Sequence, residues 1–288
     1  MVLFVQSLVA GSLVGLVYAL VSAGFSMIWG VARVINLAHP VFAVLAAYIV
    51  YWAAGQGQAA LGAALALLGP ASFGLGWLFY RWVVVPAARR SPDLNLTSMI
   101  LTFGLAVALE NMLAMAWGPG PRALSLPVQG LSLFVGPVGV PLPSLVAAGG
   151  SLVVIAGLMW FLHATLSGRA VRAVWQDPEG AALSGIDLDR VTGLTYGLAF
   201  VSAAAGGVAM ALIYTFSPAT QMTWLVYVFL VTIVGGVGSL WGAVLAGLAV
   251  GNLASLTGLV MPYSWTPLVL FGSLIALLLW KPEGLVQR

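Results

Sequence analysis

Few side chains in this sequence could do chemistry, and where they stand says what kind. Glu110 is the one carboxylate inside a long apolar run, Asn95–Trp117. At 1.5 Å of helix rise per residue it stands about 22 Å from Asn95, well past the middle of a bilayer. A charge in hydrocarbon is costly and must face a cavity, a partner helix or the interface. Two readings are open. Glu110 and its neighbour Asn111 line a solute pathway, or they make a packing hydrogen bond or snorkel near Trp117 at the interface.

A second polar cluster is Asn36 with His39, followed by Pro40. Proline lacks a backbone donor and disfavours helix at the residue before it, yet suits a first helical turn. One span therefore ends before His39 and another begins at Pro40. Asn36 and His39 either supply hydrogen bonds at a helix break lining a cavity, as in many transporters, or sit in a plain cytoplasmic turn.

The segment 167–190 holds seven charged residues between Arg169 and Arg190. Asp177 suits an N-cap, Pro178 the first helical position and Glu179 the positive helix N-terminus. Ala181, Ala182 and Leu183 propagate a helix that Gly185 can end, and Asp187 offers a cap for the next span. The caps predict a short helix of about two turns on a cytoplasmic loop. Nothing within a membrane requires such a helix, whereas docking to a cytoplasmic partner does; a plain connecting loop is the alternative.

Other chemistry is excluded. A phosphate-binding loop needs a lysine after its glycines, and the only lysine, Lys281, lies between Trp280 and Pro282. The histidines His39 and His163 have no paired-ligand spacing and there is no cysteine, so neither a metal site nor a cofactor in this chain is expected. No nucleophile motif of the Gly-x-Ser-x-Gly type occurs, and the chain is not expected to be an enzyme. What remains is a transporter, a channel or a membrane scaffold.

The elements that position these residues follow from composition. Of 288 residues, 62% are hydrophobic and 6% charged, against about 25% charged in soluble domains. The solvent must be lipid. The first ten residues lack the basic start and cleavage pattern of a signal peptide, so the first run is expected to be retained as a span. Runs near the bilayer-spanning length of about 20 residues are Leu3–Ile28, Ala59–Tyr80, Asn95–Trp117, Ser144–Leu166, Val191–Tyr214 and Pro262–Trp280. Shorter runs are Pro40–Ala54, Met222–Val234 and Leu240–Leu256. The last two flank Gly235, Gly236 and Gly238, which can break or turn a helix. The fold class is all-α, a polytopic integral membrane protein of about 8–10 spans, some short or broken, read as one domain over 1–288. Basic residues at Arg33, Arg81, Arg89, Arg90, Arg169, Arg172, Arg190 and Lys281 place their segments inside, with the N-terminus outside under nine spans. Small residues at four-residue spacing (Gly11 and Gly15, Gly193 and Gly197, Gly242 and Ala246, Gly247 and Gly251) allow close helix packing.

Along nearly its whole length the chain resembles the permease subunits of branched-chain amino acid ABC importers, a family that also includes urea and short-amide importers. The resemblance rests on Gly15–Leu20 with Gly24, Met27 and Gly30, then Ile35–His39, Thr102–Gly104 and Leu109–Asn111. It continues through Gly168, Arg169 and Arg172, Glu179, Ala182, Gly185 and Ile186, Arg190, Gly235–Ser239, Gly242 with Ala243, and Lys281–Leu285. One departure is Pro40, where the family has glycine; it stiffens the break. The resemblance implies that the loop over Gly168, Arg169, Arg172, Asp177, Pro178, Glu179, Ala181–Leu183 and Gly185 contains a coupling helix seated on a separate ATPase. It further implies two cytoplasmic ATPase subunits, a second permease chain (similar or identical), an external solute-binding protein and a place in a bacterial or archaeal inner membrane. ATP would then be bound by the partners, and nucleic acid by none. Aliphatic amino acids are the expected solute, with urea or amides the alternative. A self-contained channel or secondary transporter would need intramembrane ion sites, for which Glu110 is the only candidate. A scaffold would explain the small-residue packing but neither the capped helix nor the polar breaks.

Overall fold

The computed structural model describes residues 1–126 and 130–281; Pro282–Leu285 of the terminal motif lies outside them. The apolar runs form helices α1 (Val2–Ala32), α2 (His39–Gly55) and α3 (Gln58–Phe79). A π-helical turn, Tyr80–Val84, carries α3 into α4 (Val85–Arg90), and α5 (Leu94–Trp117) follows. A hairpin of β1 (Ser132–Val135) and β2 (Val138–Pro141) precedes α6 (Leu142–Ala164). Next come α7 (Leu166–Gln176), α8 (Pro178–Leu183), α9 (Leu188–Ile213), α10 (Thr220–Gly235), α11 (Leu240–Val260) and α12 (Thr266–Trp280). Six of the described helices are long and apolar enough to cross a membrane, taking α3 and α4 as one. The shorter apolar helices α2, α10 and α12 fall on three more predicted runs. The chain is a multi-pass membrane protein.

Two differences from the sequence reading are instructive. The outer segment between α5 and α6 contains the antiparallel hairpin, turned at Gly136 (φ 61°) and Pro137. Glycine with positive φ at the first position of a two-residue turn, and proline's fixed negative φ at the second, match the right-handed twist of paired strands. The segment 167–190, read as a loop with one short helix, is mostly helical. Its first half is α7, which the sequence reading merged into the preceding span and the loop.

Packing is built on α1 and α9, most of whose length is buried, while α3 and α5 are mostly exposed. The predicted small-residue pairs meet one another. Gly11 and Gly15 of α1 face Gly251 and Gly247 of α11, so closely that a Cβ on Gly15 would stand 2.5 Å from the Gly247 carbonyl oxygen. Without a hydrophobic drive between helices in lipid, such backbone approach and its dispersion contacts hold the pair together. Gly193 and Gly197 of α9 instead receive aromatic rings, Trp77 and Tyr80 at the first and Phe73 at the second. An aromatic cluster of Phe42, Phe79, Tyr196 and Phe200 joins α2, α3 and α9.

Backbone hydrogen bonds between Arg122 and Phe216, of 2.7 and 2.9 Å, tie the segment after α5 to the segment after α9. The far ends of α5 and α9 thus lie on one side, as the nine-span order requires. Single cysteines at Arg89 and Gln176, in this cysteine-free chain, are expected to react with an impermeant thiol reagent only from the cytoplasm. One at Gly130 should react only from outside. Labelling of Arg89 and Gln176 from opposite faces would overturn the nine-span order.

Candidate functional site

The sequence-predicted break between α1 and α2 is not at the end of α1 but folded back beside it. Arg33 ends α1 in the left-handed conformation (φ 54°), and the chain then runs without helix to Asn36. The His39 Nε2–H donates to the Val21 carbonyl at 3.1 Å, and the imidazole meets the Phe25 ring edge-on at 5.9 Å. Val21 is twelve residues before Arg33, about 18 Å along the helix axis. His39 is therefore placed deep among the helices, and the reading of a plain cytoplasmic turn does not fit this geometry. The Asn36 Oδ1 accepts from the Ala38 N–H at 3.1 Å, and the Leu37 N–H donates to Thr102 Oγ1 of α5 at 3.0 Å. Asn36 and His39 are fully buried, and their remaining nitrogens, Nδ2 and Nδ1, have no hydrogen-bond partner among the described residues. A buried polar nitrogen left in that state costs about 1–3 kcal/mol, so α2 starts at a polar joint rather than a sealed one.

The second break packs on the same stretch of α1. Gly236 and Gly238 have φ of 88° and 84°, a region only glycine enters cheaply, and Gly235, Gly236 and Gly238 are all buried. The Gly238 N–H donates to Ser26 Oγ at 2.6 Å, and Ser239 Oγ caps α11 by accepting from the Gly242 N–H at 2.9 Å. Phe229 of α10 lies between the Phe25 and Trp29 rings of α1, at 6.0 and 5.5 Å. Two broken connections thus flank α1 between Val21 and Gly30.

Glu110 is half-buried and its Oε2 accepts from the Gln221 Nε2–H of α10 at 2.9 Å; Asn111 is exposed and bonds its own helix at Val107. This is the packing geometry. Neither Glu110 nor Asn111 approaches Asn36 or His39 by any hydrogen bond among the described residues. Gln221 was missed from sequence because it stands just ahead of the apolar run beginning at Met222; a lone amide opposite a lone carboxylate was the available signal. Gln221 is fully buried, so Glu110→Ala strands its amide. Thermal unfolding in detergent should show a cost of about 1–3 kcal/mol. Adding Gln221→Leu should recover part of that loss; strictly additive effects would show that the pair does not interact.

The arm between α6 and α9 carries the remaining predicted residues. Thr165 Oγ1 caps α7 by accepting from the Gly168 N–H at 2.9 Å. Gly168, Val171 and Val174 form the buried stripe of α7, and Gly168 lies against the backbone of Phe161 and Leu162. Arg169 is exposed and Arg172 half-buried. Asp177 accepts from the Glu179 N–H at 3.1 Å, opening α8 as predicted. Gly185 (φ 83°) ends the turn after Leu183, and Asp187 caps α9 through the Arg190 N–H at 3.1 Å. Ala181 packs inward at 5% exposure, so it is not on the outer face of α8. Glu179, Ala182 and Leu183 form the exposed outer side, with Leu183 at 91% exposure. Among the described residues no group of acidic, histidine or cysteine side chains is disposed to hold a metal.

Known proteins give the arrangement its context. The family described as "Branched-chain amino acid transport system / permease component" matches residues 7–278. The high-affinity branched-chain amino acid transport system permease protein LivH of Escherichia coli K12 is 28% identical over 315 aligned residues. The match covers 99% of this chain and 96% of LivH. LivH of Salmonella typhimurium LT2 matches at 28% with the same coverage. The permease protein BraD of Pseudomonas aeruginosa PAO1 is 26% identical over 304 aligned residues, also 99% and 96% of the two chains. No solved structure matches significantly. The chain belongs to the family of permease components of branched-chain amino acid transport systems.

Proposed function

We propose that this chain is half of the translocation unit of an ABC importer in a bacterial or archaeal inner membrane. It carries branched-chain or other aliphatic amino acids inward by alternating access. It forms one permease domain over its whole length and binds no nucleotide itself. Two cytoplasmic ATPase subunits supply the work, a second permease chain completes the pathway, and an external binding protein delivers solute. The observation that carries this reading is α8, a capped helix standing outside the spans with Glu179, Ala182 and the almost fully exposed Leu183 on its outer face. A short capped helix outside the spans with an apolar tip suits the helix-in-groove mode of recognition by a partner. The polar joints on α1 supply what has to open. Parting α2 from α1 would release Asn36 and His39 from burial and line the widened space with hydrogen-bonding nitrogens.

The solute follows from the relatives, all of which are named for branched-chain amino acid transport; urea and short amides are the alternative class. A self-contained channel or secondary transporter would need a free acid in the membrane, and Glu110 is bonded to Gln221. Purified chain, reconstituted with its second permease and external binding protein, should accumulate leucine in liposomes only when the ATPase subunits and ATP are present. Accumulation without them would overturn the mechanism. ATP-driven uptake of urea in place of leucine would overturn the solute alone.

A further inference from the structure

Trp175 stands at the joint where α7, α1 and the α10–α11 turn meet. It stands two residues before Asp177, which closes α7 and opens α8. Its indole packs closely against two glycines, Gly30 and Gly238. A Cβ on Gly30 would come within 3.1 Å of Trp175 Nε1 and 2.9 Å of the Gly238 Cα. A Cβ on Gly238 would come within 2.5 Å of the indole nitrogen. Gly238 is itself fastened to Ser26 of α1, and the next residue, Ser239, caps α11. Trp175, Gly30 and Gly238 also line a cavity of about 150 Å³, with Met27, Leu162, Arg172 and Trp241 among others. Closely packed interiors pass displacement on rather than absorb it. The indole bears on two glycines and borders a cavity into which it can shift.

We infer that Trp175 is the positioning residue that carries movement of α8 to the glycine turn between α10 and α11. The inference rests on the reading of α8 as the ATPase-docking helix. A push on α8 moves Asp177 and the last turn of α7. The indole then bears on Gly238 or withdraws into the cavity beside it. Because Gly238 is bonded to α1 and adjoins the α11 cap, that motion re-sets how α10 and α11 sit on the stretch of α1 that also holds His39.

The test compares Trp175→Ala and Trp175→Phe in the complete reconstituted complex with ATPase and binding protein. Three quantities are read: co-purification of the ATPase, ATP hydrolysis, and leucine taken up per ATP hydrolysed. Trp175→Ala is expected to keep the ATPase bound and hydrolysing while uptake per ATP falls about tenfold, within the usual range of coupling between sites. Trp175→Phe, which keeps a ring over the glycines, should recover most of it. Unchanged uptake per ATP in Trp175→Ala overturns the inference. So does loss of ATPase binding, which would make Trp175 part of the docking surface. Where Trp175→Ala fails to accumulate in the membrane, Trp175→Leu, which fills space without a ring over the glycines, takes its place, and uptake per ATP equal to the native value again overturns the inference. Failure of the docking reading is seen separately, as normal association of the ATPase with a complex altered on α8 itself.

Discussion

Glu179→Lys combined with Ala182→Arg is expected to release the ATPase and abolish concentrative uptake, while the spans stay folded. Both residues are exposed on the outer side of α8, so neither change touches the interior. At the helix N-terminus the macrodipole favours an acid by about 0.3–1 kcal/mol, and lysine there reverses the sign of that contribution. Arginine at Ala182 sets bulk and charge beside Leu183, in the middle of the face proposed to dock on the ATPase. Removing a buried contact at the centre of an interface commonly costs about 2 kcal/mol or more, and inserting an unpaired charge there adds its desolvation. A docking contact weakened by both is expected to dissociate in purification. Co-purification and solute-stimulated ATP hydrolysis in liposomes measure the effect, with thermal unfolding as the control for the spans. Ala181 shows why placement matters. From sequence it belonged to the same face, yet it is packed inward, and Ala181→Arg should damage folding rather than docking.

A second large effect is expected from Gly15→Val, which should prevent accumulation of folded protein. Two carbons added to the Cβ position would have to occupy the space of the Gly247 carbonyl and the Leu248 Cα, 2.5 and 2.9 Å from the Cβ itself. Both are backbone atoms, which cannot swing aside as a side chain end can. Overpacking of a core costs about 1–3 kcal/mol when side chains can adjust, and more when two helices must separate. Separation here also loosens α1, on which both broken connections are seated. The control is Gly157→Val in α6, where a Cβ meets nothing within 4 Å. Size-exclusion profiles and melting temperatures in detergent compare the two, and equal behaviour would show that the α1–α11 contact is not a principal support of the fold.

Much of this architecture could be read from residues in order along the chain. Lipid solvent makes span length and apolarity nearly sufficient, because every backbone group must be satisfied within its own helix. The pairs Gly11 with Gly15 and Gly247 with Gly251 were visible as close-packing surfaces, but not that each faces the other. That depends on which helices are neighbours, and spacing within one helix carries no such information. The depth of His39 was hidden for the same reason. Proline marks where a helix starts along the chain, while the hydrogen bond to Val21 shows where in the membrane it starts. The helix α7 escaped because its N-cap, Thr165, ends an apolar run without interrupting it. Its buried stripe is only Gly168, Val171 and Val174, too short for periodicity to separate from a loop. Caps succeeded where periodicity failed. Asp177, Pro178 and Glu179 opened α8 and Asp187 opened α9 on local chemistry alone.

The double use of Asp177 has a consequence for how this arm can vary. The residue that terminates α7 is the one that initiates α8, so no linker separates them. Each residue of helix turns the direction of a side chain by about 100°. One residue gained or lost before Asp177 would therefore carry the Ala182–Leu183 face a quarter-turn or more from its present heading, with no slack in which to recover. Substitutions leave that heading in place. In this arm the count of residues from Thr165 to Gly185 therefore sets the heading of the Ala182–Leu183 face.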